Sequence, residues 1–329
     1  AFGRWRNVGA ISHIPVFPAT EELVYKYFCQ LRAGGAPASR AARCLQAFGF
    51  AKGTVGADVS DILESARVKG VCEQGERFVA KKAPLSMQQV IQLEQMAMEG
   101  PSQQSVFAGY LCFLTHARLR FTDGQYLMTE PVLDETQNKG FLEARLYHHK
   151  NAGRRSSVAK RLLPAACVIP GLSVHGCWAE AWLTNRRAMG LKAGRGHPTM
   201  PAPLREGGFT DLPLKSGEAS AWLRELLVGG SEGDPQSEDR LATHSCKSTI
   251  LSWMSKVGID LPSRRLAGYH TDGNTKSALE YSRDAQAPIL QLISDLFRVM
   301  SHGLFHPDNS RSGRFVGCRD FQHALSVAD

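Results

Sequence analysis

Apolar residues recur at helical spacing through most of the chain. In PATEELVYKYFCQLRAGG (18–35), Leu23, Tyr27 and Leu31 stand at four-residue steps and Gly34-Gly35 supplies a stop signal, so the segment predicts a helix. PASRAARCLQAFGFAKG (37–53) and VSDILESARVKGV (59–71) predict two more, followed by the basic connector RFVAKKAPLS (77–86). Pro84 interrupts the pattern, which places a domain boundary near Lys82 to Leu85. Beyond it, Ser86 is a candidate N-cap for SMQQVIQLEQMAMEG, with Val90, Leu93 and Met96 or Met98 as its stripe, and SVFAGYLCFLTHARL (105–119) predicts a longer helix. The period then changes: FLEARLYHHKNAGRRSSVAKRLLPAACVIPG (141–171) alternates apolar and polar residues on both sides of a Gly-containing basic turn, which predicts a β-hairpin. AEAWLTNRRAMG (179–190) and GEASAWLRELLVG (217–229) read as helices, PAPLREGGFTDLPL (201–214) as an extended segment and residues 229–240 as a polar acidic loop. Thr243 to Val299 reads as three or more helices with breaks at Pro262 and Gly273.

The fold class this predicts is mainly α with a small β-hairpin or sheet (α+β). A length of 329 residues suits two domains. Four regions follow: an N-terminal extension (1–17), a helical domain (18–82), a larger domain (83–308) and a C-terminal tail (309–329). No apolar run approaches the ~18 to 20 residues of a bilayer span, so no membrane association is expected. The start, AFGRWRNVGA, has neither an initiator Met nor a secretory signal, and a further region upstream is expected. The eight cysteines form no CxxC or paired spacing, and His302 and His306 lack an evident third ligand, so neither a metal nor another cofactor is expected.

The formal net charge of +8 is unevenly spread. From Lys139 to Arg195 there are eleven Lys or Arg against only Glu143 and Glu180. Such a local excess suits neutralisation of phosphates. It fits a solvated surface or another anionic partner equally well.

Four separated segments carry candidate chemistry. ARLRFTDGQYL (117–127) holds Arg120 with Asp123 three residues on; a planar guanidinium can grip two nonbridging phosphate oxygens, though Arg118 could do so instead, and RxxD is also an ordinary ion pair. Lys150 stands at the tip of the predicted hairpin, with Lys160 as its rival; either could protonate a leaving oxygen or simply contact phosphate. THSCKSTILSW (243–253) puts His244 and Lys247 one helical turn apart, with a capping or packing histidine as the plainer reading. RRLAGYHTDGNTKSALEYSRD (264–284) places His270 in a Gly-x-His step ahead of Tyr281; on residue type alone, Tyr269 and Tyr126 are equal candidates for a nucleophile.

In this order, Arg, Lys, His-x-x-basic, Gly-x-His and Tyr, the segments resemble the catalytic domain of the tyrosine recombinase (phage integrase) family. The resemblance runs over roughly Leu85 to Asp308 and is closest to the divergent branch carried by eukaryotic mobile elements. Two features depart from the family pattern: Lys247 stands where an arginine is usual, and the interval from His270 to Tyr281 is slightly long. The resemblance implies that 83–308 is a catalytic domain and 18–82 a core-binding domain that clamps DNA. It implies cleavage and rejoining of strands through a 3′-phosphotyrosyl intermediate on Tyr281, with Lys150 as general acid, His244 handling the tyrosine proton, and Arg120, Lys247 and His270 stabilising the phosphate under the support of Asp123. Arg118, Arg154, Arg155, Lys160, Arg161, Arg264 and Arg265 would contact double-stranded DNA. A homo-oligomer on DNA (dimer or tetramer) and a nuclear location follow from that substrate. A catalytically silent DNA-binding descendant and a type IB topoisomerase are the alternative readings.

Overall fold

The computed structural model describes residues 2–7, 15–73, 82–136, 139–146, 165–173, 175–192, 194–228, 240–270 and 285–329. The chain divides into two compact units, Ala1–Ala80 and Lys81–Asp329. The described residues are mainly helical, with two small antiparallel sheets. None of their helices is long and apolar enough to cross a membrane.

The first unit is helical: α1 (Phe2–Arg6), α2 (Glu21–Ala33), α3 (Ala38–Val55), α4 (Ser60–Glu64) and α5 (Ala66–Glu73). Thr20 caps α2 by accepting the Leu23 N–H. The buried face of α2 is Val24, Tyr27 and Phe28, an i, i+3, i+4 set, so the stripe is rotated from the expected Leu23 and Leu31, which are only partly buried. The single helix expected over 59–71 is broken at Ser65, whose hydroxyl accepts the Val68 N–H and donates to Glu21. Phe2 packs edge-on against Tyr27 and Phe48 in this core, so the first residues belong to the unit and are not an extension.

The second unit is built around one helix. In its chain order stand α6 (Met87–Met98), α7 (Gln103–His116), α8 (Phe121–Gly124), β1 (Val132–Thr136), β2 (Lys139–Ala144), β3 (Ala165–Ile169), α9 (Trp178–Ala188), β4 (Pro201–Pro203), β5 (Phe209–Pro213), α10 (Ser216–Val228), α11 (Thr243–Lys256), α12 (Leu261–Ala267), α13 (Ala287–Ser301), a 3-10 turn (Arg311–Gly313) and α14 (Phe321–Ala328). From Ser105 to His116, α7 is buried on every face, the mark of a central core helix, and α6, α9 and α11 pack around it. Ser86 caps α6 reciprocally with Gln89.

Trp182 on α9 lies so close to α7 that a Cβ at Gly109 would sit 2.3 Å from its Cδ1. Its indole donates to Val106 O at 3.1 Å and its ring stacks on Phe113, so it cannot retreat. Gly109→Ala is therefore expected to destabilise the protein by about 1–3 kcal/mol, although alanine favours a helix by about 1 kcal/mol, and thermal denaturation measures it.

The expected hairpin corresponds to β2 and β3, paired antiparallel with Phe141 opposite Val168 and Leu142 opposite Cys167. β1, which the sequence pattern did not suggest, pairs with β2 on its other side; Val132 is 62% exposed, so this edge strand has little apolar alternation to betray it. Pro262 does not break a helix. It sits in the first turn of α12, where a missing N–H costs nothing, and the chain turns earlier, at Gly258 with φ of 96°. The residues expected to form a tail end in α14, which packs on α13 through Phe321 and Ala324 and so belongs to the unit.

Candidate functional site

The local structure of the Arg120 segment begins where α7 ends. At Arg118 the backbone turns into the left-handed region (φ of 54°), and Arg120 then stands as the residue ahead of the short helix α8. The turn separates the two arginines. Arg120 keeps 27% of its side chain exposed and pairs with the nearly buried Asp123 at a loose 3.4 Å, which leaves guanidinium N–H groups for an anion. Arg118 is fully buried. Its Nε donates to Ala267 O at 3.0 Å, its Nη1 to His116 O at 2.6 Å and its Nη2 to Gln286 Oε1 at 3.3 Å. The expectation that Arg118 meets DNA is corrected by this: with no accessible surface it cannot reach a phosphate.

His244 and Lys247 occupy the first turn and a half of α11, but their surroundings differ. His244 is exposed, whereas Lys247 is buried and its ammonium donates to Arg118 O at 3.2 Å and to Gly268 O at 3.0 Å. Lys247 thus ties the turn before Arg120 to the turn before His270. Tyr269 makes the reciprocal bond, its hydroxyl donating to Ala117 O at 2.8 Å. Its backbone is also left-handed (φ of 60°), and both cations lie near its ring, with Arg118 Cζ and Lys247 Nζ each 5.7 Å from the centroid. Two non-glycine residues in that strained region persist only because neighbouring bonds over-determine them.

His270 is exposed and its N–H donates to Arg265 O at 2.8 Å. The glycine of the Gly-x-His step has a steric reason: a Cβ at Gly268 would lie 2.9 Å from His270 Cδ2. The site therefore has two layers. Arg120, His244 and His270 are accessible, and the buried Arg118, Lys247 and Tyr269 fasten the three segments that carry them to one another. A deeper pair supports α7 itself: the buried Glu94 accepts from Leu172 N–H and Ser173 N–H and lies 2.7 Å from His116 Nε2.

Burial of part of the ring lowers the pKa of His244 from its ordinary 6.5, and the charges of Arg120 and Lys247 push the same way. At neutral pH it is an unprotonated imidazole with a lone pair to offer. The folded state binds fewer protons here than the unfolded chain, so its contribution to stability is full above 6.5 and is lost as pH falls through the folded value. In an NMR titration the His244 midpoint is expected below 6.5, and Arg120→Leu, which removes one cation, is expected to raise it. A midpoint that does not respond to Arg120→Leu would break the electrostatic link between the two residues.

Of the other sequence candidates, Arg264 is half-buried and donates to Ile259 O and Ser255 Oγ, while Arg265 is exposed. Lys150, Arg154, Arg155, Lys160, Arg161 and Tyr281 lie outside the described residues. Within the basic stretch, Arg186 is not a surface charge: it is buried, bonded to Thr199 O and Lys192 O, and burial lowers its pKa to about 10. Among the described residues no cluster of three or more His, Cys, Asp or Glu could hold a metal ion.

No family model matches the chain, and no curated protein does. Among solved structures, the chain is similar to the crystal structure of a lambda integrase dimer bound to a COC′ core site, at 13% identity over 86% of this chain and 87% of that one, with a TM-score of 0.47.

Proposed function

We propose that the chain is a DNA strand transferase of the tyrosine recombinase type, cleaving and rejoining duplex DNA through Tyr281. The observation that carries this reading is the knot of hydrogen bonds from Lys247, Arg118 and Tyr269. It joins the Arg120 turn, the first turn of α11 and the Gly-x-His turn, three segments far apart in sequence but in the order the family uses.

In this reading Tyr281 Oη attacks the scissile phosphorus and the bond to the 5′ oxygen breaks. His244, unprotonated at neutral pH, takes the phenolic proton, and Lys150 gives one to the departing 5′ oxygen. Arg120 and His270 hold the nonbridging oxygens as their charge grows. One phosphoester replaces another, so attack by a second 5′ hydroxyl restores the strand and returns the protons without any external energy source. Duplex DNA is the partner, bound as a dimer or tetramer, and the nucleus is the compartment such a substrate implies.

A second reading, a DNA-binding descendant without catalysis, is favoured by one observation: the Lys247 ammonium, which stands where the family has an arginine, gives two of its N–H groups to backbone carbonyls. Incubation with a suicide duplex followed by denaturation separates the two. The first predicts a covalent protein–DNA adduct. The second predicts none on any duplex, with binding that weakens as salt rises.

A further inference from the structure

Arg118 carries its guanidinium in the interior, with no exposed surface. Among the described residues no carboxylate pairs with it, and its hydrogen bonds go to three neutral oxygens. An apolar residue would leave those oxygens without their donor, and a lysine would supply the charge without the geometry. What the arginine supplies is a rigid planar fork.

Its three acceptors are distributed tellingly. His116 O closes α7, four residues before Arg120; Ala267 O ends α12, three residues before His270; Gln286 Oε1 stands at the head of α13, five residues after Tyr281 in the sequence. One guanidinium therefore grips the Arg120 segment and both flanks of the stretch 268–285, which contains His270 and Tyr281. Gln286 is 1% exposed, and among the described residues its Nε2 has no hydrogen-bond partner, so the contact with Arg118 is what its amide makes there.

We infer that Arg118 is a positioning residue for strand cleavage, holding the phosphate-binding turn and the two flanks of the nucleophile-bearing stretch in one register. The inference rests on the recombinase reading for what is positioned and on the described bonds for how. Arg118 touches no DNA; it acts through Arg120 and through the two flanks.

The test compares wild type with Arg118→Lys, Gln286→Leu and Gln286→Glu, measuring single-turnover adduct formation at saturating suicide duplex, duplex affinity, and amide hydrogen exchange at 267–270 and 285–290. Lysine keeps the charge but not the fork, and leucine removes only one acceptor, so both variants are expected to form adduct roughly 10- to 100-fold more slowly with unchanged affinity. Gln286→Glu keeps an oxygen for Arg118 and is expected to react near the wild-type rate. Wild-type rates in Arg118→Lys and Gln286→Leu, losses that merely track lost DNA binding, or a Gln286→Glu as slow as Gln286→Leu would each overturn the proposal. If Arg118→Lys does not fold, the Gln286 pair decides. Absence of adduct from wild type itself means that the recombinase reading fails; exchange then decides the clamp, with faster exchange at both flanks in Gln286→Leu supporting it and wild-type protection overturning it.

Discussion

Tyr281→Phe is expected to abolish the covalent adduct completely while leaving duplex binding and its salt dependence in place. Phenylalanine keeps the ring but has no oxygen with which to form a phosphoester, so the loss is one of chemistry and not of degree. Binding persists because its free energy comes from phosphate contacts elsewhere. Tyr269, which lies in the site, provides the control. Tyr269 is 5% exposed, its hydroxyl is committed to Ala117 O at 2.8 Å, and burial raises its pKa, with Arg118 opposing only in part. A buried, protonated, hydrogen-bonded phenol is no nucleophile. Tyr269→Phe is expected to cost about 1 kcal/mol of stability for the lost bond and still to form adduct. Denaturing electrophoresis after incubation with a suicide duplex reads all three proteins. An adduct surviving in Tyr281→Phe but lost in Tyr269→Phe would reassign the nucleophile and with it the reading of the Gly-x-His segment.

Helices were legible wherever one face is apolar and caps are explicit, as in α6 with Ser86 at its head. Legibility failed where burial depends on partners distant in sequence. The stripe of α2 is rotated from Leu23 and Leu31 to Val24 and Phe28, because that face meets the rest of the unit's core. The edge strand β1, VLDET, shows no alternation of apolar and polar residues and exists because β2 pairs with it. Arg120, His244 and His270 could be named as candidates by motif order, since each motif lies within a short window. The buried layer could not. In ARLR the two arginines are equivalent as letters, and only the left-handed turn at Arg118 sends one inward and leaves the other accessible. Tyr269 and Gln286 carry no local mark of their part in the knot, because Ala117 and Arg118 lie more than 150 residues away.

The same knot explains why a lysine stands at 247, where the resemblance leads one to expect arginine. Its ammonium, 5% exposed, lies between Arg118 O and Gly268 O, and removing it leaves both carbonyls without that donor. Each such loss costs about 1–3 kcal/mol, offset in part because no ammonium need then be buried, so Lys247→Met is expected to destabilise the protein by about 2–5 kcal/mol. For a domain of this size that lowers Tm by roughly 5–15 °C, readable by calorimetry. Lys247→Arg is expected to destabilise as well, by about 1–3 kcal/mol, because a second guanidinium must be forced into a space already bounded by the first and by the Tyr269 ring. Neither variant should recover an arginine's usual grip on phosphate. If Lys247→Met instead leaves Tm unchanged and slows adduct formation, the ammonium acts on DNA directly and the knot is not what holds the two turns. If Lys247→Arg is stable and faster than wild type, the interior has room for the fork after all, and the lysine reflects weakened catalysis.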